Sequence, residues 1–223
     1  MSDILKMLAI NVIIVLVYAV IALAVGFLAA SQTILAEGLS NLSAAPVAVL
    51  NLLVMKYLDK RKSQLAELAK IGENGEKSSK MAKLEPIVGV LNNCFLLAVC
   101  VAVIVGSVQI LLDGGNHEIQ LVSSILFGLF ALAYSTSVFV YFRKIARKTP
   151  SALVNATVIA WKFTMLIGTG IVVGFGVSWL LNWANFTKIT PFIDPILAIL
   201  LMLFFAISPI LGIRDCFREI LRE

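Results

Sequence analysis

The sequence predicts an all-α membrane protein with six transmembrane helices. Of its 223 residues 60% are hydrophobic and only 14% charged, with a mean hydropathy of +0.99. The apolar residues lie in long uncharged runs, and Lys and Arg fall almost entirely in alternate connections. A soluble domain is about half apolar and about a quarter charged, so a soluble globular enzyme, a disordered chain and a disulfide scaffold are poor descriptions. Outer-membrane barrels need short alternating segments, not continuous runs. Cys94, Cys100 and Cys216 form no CxxC and no paired framework.

A helix needs roughly 20 apolar residues to cross the hydrocarbon core. No charge occurs between Lys6 and Glu37, and this run supplies the first helix, at about 7–30. The run is too long for a cleaved signal peptide. The second helix covers about 33–57 and closes at Lys56. The third, about 84–111, contains the uncharged stretch from Pro86 to Leu112. The fourth covers about 119–143. The fifth, about 151–182, is interrupted only by Lys162, and the sixth covers about 192–214. The whole chain, 1–223, is expected to be one transmembrane domain.

Lys and Arg then orient the spans. The loop at about 58–82 holds Lys60, Arg61, Lys62, Lys70, Lys77 and Lys80, and the next basic loop holds Arg143, Lys144, Arg147 and Lys148. The tail holds Arg214, Arg218 and Arg222, and Lys6 opens the first helix. With six spans all of these share one side, while Lys188 stands alone on the other with Asp113, His117 and Glu118. The positive-inside rule makes both termini cytoplasmic, and a bacterial inner membrane is the expected location. The net charge of +5 is explained by this asymmetry, so nucleic acid is not an expected partner. The 58–82 loop reads as a solvated connector with a turn signal, GENGE. Its lysines could also meet anionic lipid heads.

The order of these features resembles the cation diffusion facilitator (cation efflux) family. SQTILAEGLSNL in helix two is similar to the family's S-x-S-I-L-A segment, and AKLEPIVGVL to its G-K-x-E entry to helix three. RKIARKTPSALVNATVIAW is similar to its basic loop and the S-x-x-L-x-A-D start of helix five, and IDPILAILL to its D-P/A-x-x-A start of helix six. The resemblance runs over about residues 12–223. It implies a cation-efflux-type bundle, a homodimer, and export of a divalent metal such as Zn, Fe, Mn, Co or Cd by proton-coupled alternating access.

Two departures qualify this. The family usually carries a cytoplasmic metal-binding domain after helix six, and none is expected here. The family's transport site is a pair of i, i+4 motifs, D/H-x-x-x-D on helix two and H/D-x-x-x-D on helix five. Residues four apart share a helix face, and two such pairs make an N/O cage suited to Zn²⁺. In this register the positions fall on Ser40, Ala44, Ala160 and Thr164. None is an acid or a histidine, so the usual metal ligands are missing.

Ionisable residues inside a span are costly, which makes each one a functional candidate. Glu37 lies one turn from Ser40 and makes an i, i+4 pair with Asn41. It is either solvated at the membrane edge or buried, and a buried carboxyl there could exchange a proton near neutral pH. Glu37, Ser40, Asn41 and Thr164 form the candidate substrate path. Asp194 precedes Pro195 at the start of helix six, where an acid suits the helix dipole; ion binding is the weaker reading. Lys162 points away from Thr164 and Ala160, since two residues turn a helix by about 200°. It is expected to snorkel to the cytoplasmic interface, the alternative being an ion pair with Glu37 or Glu85. Asn51, Asn92 and Asn93 suit hydrogen bonds between helices, and Gly170-x-x-x-Gly174 suits close packing or a flexible point.

No Ser-His-Asp, Cys-His or paired-acid arrangement points to an enzyme, and no cofactor is implied. Two functions follow: a cation transporter with an altered site, or a non-transporting structural or regulatory homologue that acts through dimerisation.

Overall fold

The computed structural model describes residues 3–68, 79–148 and 152–222. Six helices follow one another: α1 (Asp3–Leu28), α2 (Gln32–Leu68), α3 (Ser79–Leu112), α4 (Leu121–Ala146), α5 (Ala152–Trp183) and α6 (Thr190–Arg222). Each contains a segment long and apolar enough to cross a membrane. Consecutive helices run in opposite directions, so Lys6, Lys56, Arg143 and Lys144 share one end of the bundle, the basic end. The short turns 29–31, 113–120 and 184–189 share the far end.

The helices outrun the predicted spans on the basic side. α2 continues to Leu68, and α3 begins at Ser79. Much of the 58–82 segment is therefore helix rather than connector. Residues 58–68 explain this locally, because Lys, Arg, Gln, Ala, Glu and Leu are good helix formers. The GENGE signal lies outside the described residues. α6 likewise starts at Thr190 and runs to Arg222, beyond both ends of the expected segment.

Three antiparallel pairs, α1–α2, α3–α6 and α4–α5, form the closest packing, and α2–α3, α5–α6, α2–α6 and α1–α4 join them. Glycine sets several of these approaches. A Cβ on Gly26 would sit 2.8 Å from the Leu35 backbone nitrogen, and one on Gly38 2.9 Å from that of Leu23. On Gly168 it would meet the Leu132 backbone at 3.2 Å. Gly174 abuts Leu197 and Gly170 faces Leu201, so the Gly170-x-x-x-Gly174 face packs α5 on α6. Gly212 lets α6 lie against the Asn93 side chain of α3.

In lipid, helix association relies on such close packing and on polar contacts, because the tails are as apolar as the side chains. The interior has a basic-side cluster around Met7, Val138, Phe142 and Trp161. A central cluster surrounds Tyr18, Phe127, Ile171 and Phe175. A third joins Ala36, Cys100, Ala198 and Met202 between α2, α3 and α6.

Gly26→Val should lower stability by about 1–3 kcal/mol through overpacking against α2. Thermal unfolding in detergent measures this, with Gly176→Ala as the control, since a Cβ there meets nothing within 4 Å.

Candidate functional site

The candidate site grows from the start of α2. Ser31 precedes the helix, and its hydroxyl oxygen accepts from the Ile34 N–H at 3.2 Å, as an N-cap does. The Gln32 and Thr33 N–H groups donate to the Asp194 carboxylate at 2.8 and 3.1 Å. The Ser31 hydroxyl donates to it at 2.8 Å, and the Asn116 amide at 3.0 Å. Asn116 also donates to Ala30 O, and its own N–H donates to Pro191 O. One buried carboxylate, that of Asp194, thus ties the α1–α2 and α3–α4 turns to the start of α6. A structural role was the expected one for Asp194, but at the start of α6 itself. The residue lies a turn inside α6, and the helix terminus it serves is that of α2. With four donors on its oxygens it is a structural latch, and nothing in its surroundings marks it as an ion ligand.

Glu37 lies one and a half turns into α2 and is 1% exposed. That rules out the solvated reading. Its Oε1 accepts from the Tyr18 hydroxyl at 3.2 Å and from the Asn41 amide at 3.0 Å. The same Asn41 amide donates to Glu37 O at 2.9 Å. The other carboxyl oxygen, Oε2, is buried and has no hydrogen-bond partner among the described residues. Buried polar atoms are nearly always paired, so an unpaired carboxyl oxygen inside a bundle calls for an explanation.

Tyr18 is itself fixed by three rings, one of them Phe127 at 6.3 Å. Its ring stacks on Tyr134 at 5.4 Å and meets Trp161 edge-on at 6.3 Å. The Tyr134 hydroxyl donates to Ile14 O, and the Trp161 indole N–H donates to Asn11 Oδ1 at 2.8 Å. The carboxyl of Glu37 on α2 is therefore positioned through α1 by aromatic rings of α4 and α5.

The positions that match the family's ligand motif make no comparable group. Ser40 is buried, but its hydroxyl donates to Ala36 O at 2.8 Å. Thr164 donates to Ala160 O at 3.3 Å. Ala44 and Ala160 are exposed, and α2 and α5 are not a packed pair among the described residues. The predicted path is thus only partly brought together: Glu37, Ser40 and Asn41 share α2, and Thr164 stands apart. Lys162 is exposed on α5, as snorkelling requires. The carboxyl of Glu37 is met by Tyr18 and Asn41, not by Lys162, and the side chain of Glu85 lies outside the described residues.

A cavity of about 550 Å³ opens at the far end, beside Asp113, His117 and Glu118. On α2 it is lined by Gln32 and Leu35 and stops short of Glu37. Among the described residues no three His, Cys, Asp or Glu gather to hold a metal.

The cation efflux transmembrane domain model matches residues 80–221, from the start of α3 nearly to the end of α6. The chain belongs to the cation efflux family. Its six-helix bundle is that family's transmembrane architecture, and the protein is an integral membrane, cation-transporter-like protein. Glu37, Ser40 and Asn41 precede the matched segment. No curated protein matches this cation efflux chain.

Tyr18, Asn11, Trp161 and Asn116 were not singled out by sequence. Two of them had a signal: Asn11 is the sole amide in the first predicted helix, 7–30, and Tyr18 its sole tyrosine. Asp194→Ala should cost about 1–3 kcal/mol by stripping buried donors of their acceptor, with Asp194→Asn losing less; the unfolding midpoint of the purified protein reports both.

Proposed function

We propose that this cation efflux family member carries a cation across the bilayer by alternating access, in exchange for a proton, with Glu37 as the group that holds each in turn. The observation that carries this reading is the Oε2 of Glu37, buried in the first turns of a span with no hydrogen-bond partner among the described residues. An isolated ionised carboxylate in an apolar interior is too costly to persist. A proton or a bound cation removes that cost, so the two are natural alternatives at one carboxyl. Ser40 and Asn41, on the same helix, complete the proposed path, the expected member Thr164 standing apart on α5, and the acid-lined far-end cavity would concentrate cations at its mouth.

Divalent metal efflux, the family's expected activity, draws its support from family membership rather than from the residues around Glu37. The placement of Lys and Arg supports cytoplasmic termini, in a bacterial inner membrane, with a homodimer as the proposed assembly. A second reading has one specific observation in its favour. The four positions of the family's ligand motif are two alanines and two hydroxyls bonded within their own helices, as a non-transporting homologue acting through dimerisation would permit.

Proteoliposomes containing the full chain and an entrapped pH dye separate the two. The transport reading expects a dye response to at least one added cation, and Glu37→Gln should reduce it to the level of empty vesicles. No response to any cation would leave the non-transporting reading.

A further inference from the structure

The charge available around Glu37 limits what the site can hold. This inference rests on Glu37 being the cargo-holding group. Its carboxyl contributes a single negative charge. The groups that touch it, the Tyr18 hydroxyl and the Asn41 amide, are neutral. One turn further along α2, Ser40 is neutral and bonded to Ala36 O. The nearest rings, Tyr134 and Trp161, are held by their own partners. Asp194, the other buried acid of the described spans, is already committed to the α2 terminus.

A divalent ion at Glu37 would therefore leave one uncompensated positive charge in a buried, apolar surround. Buried charges survive only when paired, and the penalty for an unpaired one is severe. A singly charged cation leaves none. The donor atoms point the same way. The groups bonded to Glu37 can offer oxygens: beside the free Oε2 stand the phenol oxygen of Tyr18 and the amide oxygen that Asn41 would present after a half-turn about its terminal bond. Oxygen ligands suit hard cations, whereas thiolate and imidazole select zinc-like ions.

We infer that the site at Glu37 takes a singly charged hard cation, of the alkali type, rather than a divalent metal. Exchange at this carboxyl then conserves charge: Glu37 releases one proton as one cation binds, and the occupied site stays neutral.

The test uses the full chain in proteoliposomes with an entrapped pH dye, challenged separately with Li⁺, Na⁺, K⁺, Zn²⁺, Mn²⁺ and Cd²⁺. At least one alkali ion should drive a saturable proton movement, and the divalent ions should give no more than empty vesicles. Glu37→Gln should abolish the alkali response. Tyr18→Phe keeps the ring packing but removes the hydroxyl. It should raise the half-saturating concentration of the alkali ion several-fold, a shift in affinity that a loss of packing alone would not give. If divalent ions drive flux that depends on Glu37, the inference fails while the proposed role of Glu37 stands. Alkali-driven flux that survives in folded Glu37→Gln overturns both, as does the absence of any flux. Should Glu37→Gln not fold, the wild-type ion scan and Tyr18→Phe still decide the charge class.

Discussion

A carboxyl group enclosed by apolar helices, with one oxygen bonded and the other bare, is the constraint around which this bundle is arranged. Glu37 accepts from Tyr18 and Asn41 through Oε1 and leaves Oε2 alone. Such a group is expensive to keep in a membrane protein, and its surroundings are built to hold it still. Gly26 and Gly38 bring α1 close enough to α2 for the Tyr18 hydroxyl to reach. Tyr134 and Trp161 then fix the Tyr18 ring, and Asn11 fixes Trp161. A chain of contacts runs from the basic end of α1 to the start of α2, through helices that are distant in sequence.

The far end has a different logic. The α1–α2 turn, the α3–α4 turn and the first turn of α6 converge on one carboxylate, Asp194, which accepts from Ser31, Gln32, Thr33 and Asn116. The first N–H groups of a helix lack partners within it, and in a membrane protein they need protein acceptors wherever water is excluded. Here α6 supplies the acceptor for α2, and Asn116 ties the α3–α4 turn to both. Glu37 begins little more than a turn from this latch. Any motion that opens the far end toward Glu37 must either break the latch or carry the three turns as one body.

Much of this was legible in the sequence. Six uncharged runs and alternate basic loops gave the six helices, and Gly170 and Gly174 gave one packed face. Asp194 showed that it had a structural role but not which helix it served. A carboxylate four residues into α6 looks like that helix's own feature until the tertiary structure brings Ser31 beside it. Glu37 could be placed near the edge of a span, but its burial depends on Tyr18, from another helix. The Asn11–Trp161 bond joins residues 150 apart in sequence, and no local pattern encodes such a pair. The helical extensions of α2 and α3 were hidden by their charge, which interrupts an apolar run but does not oppose helix formation.

Family membership and local chemistry thus point to related but distinct roles. The bundle is that of the cation efflux family, while the motif positions on α2 and α5 carry Ser40, Ala44, Ala160 and Thr164 in place of acids and imidazoles. Of the two acids buried in the described spans, Asp194 is committed to the α2 terminus, and Glu37 lies one turn from the motif position on α2. The most direct test of its role is infrared difference spectroscopy on the full chain in lipid, recorded before and after addition of Na⁺ or Li⁺. If Glu37 exchanges a proton for a cation, the carbonyl band of a protonated carboxyl disappears on addition in wild type and the change is missing in Glu37→Gln. An unchanged spectrum in that region, or the same change in Glu37→Gln, would contradict the account.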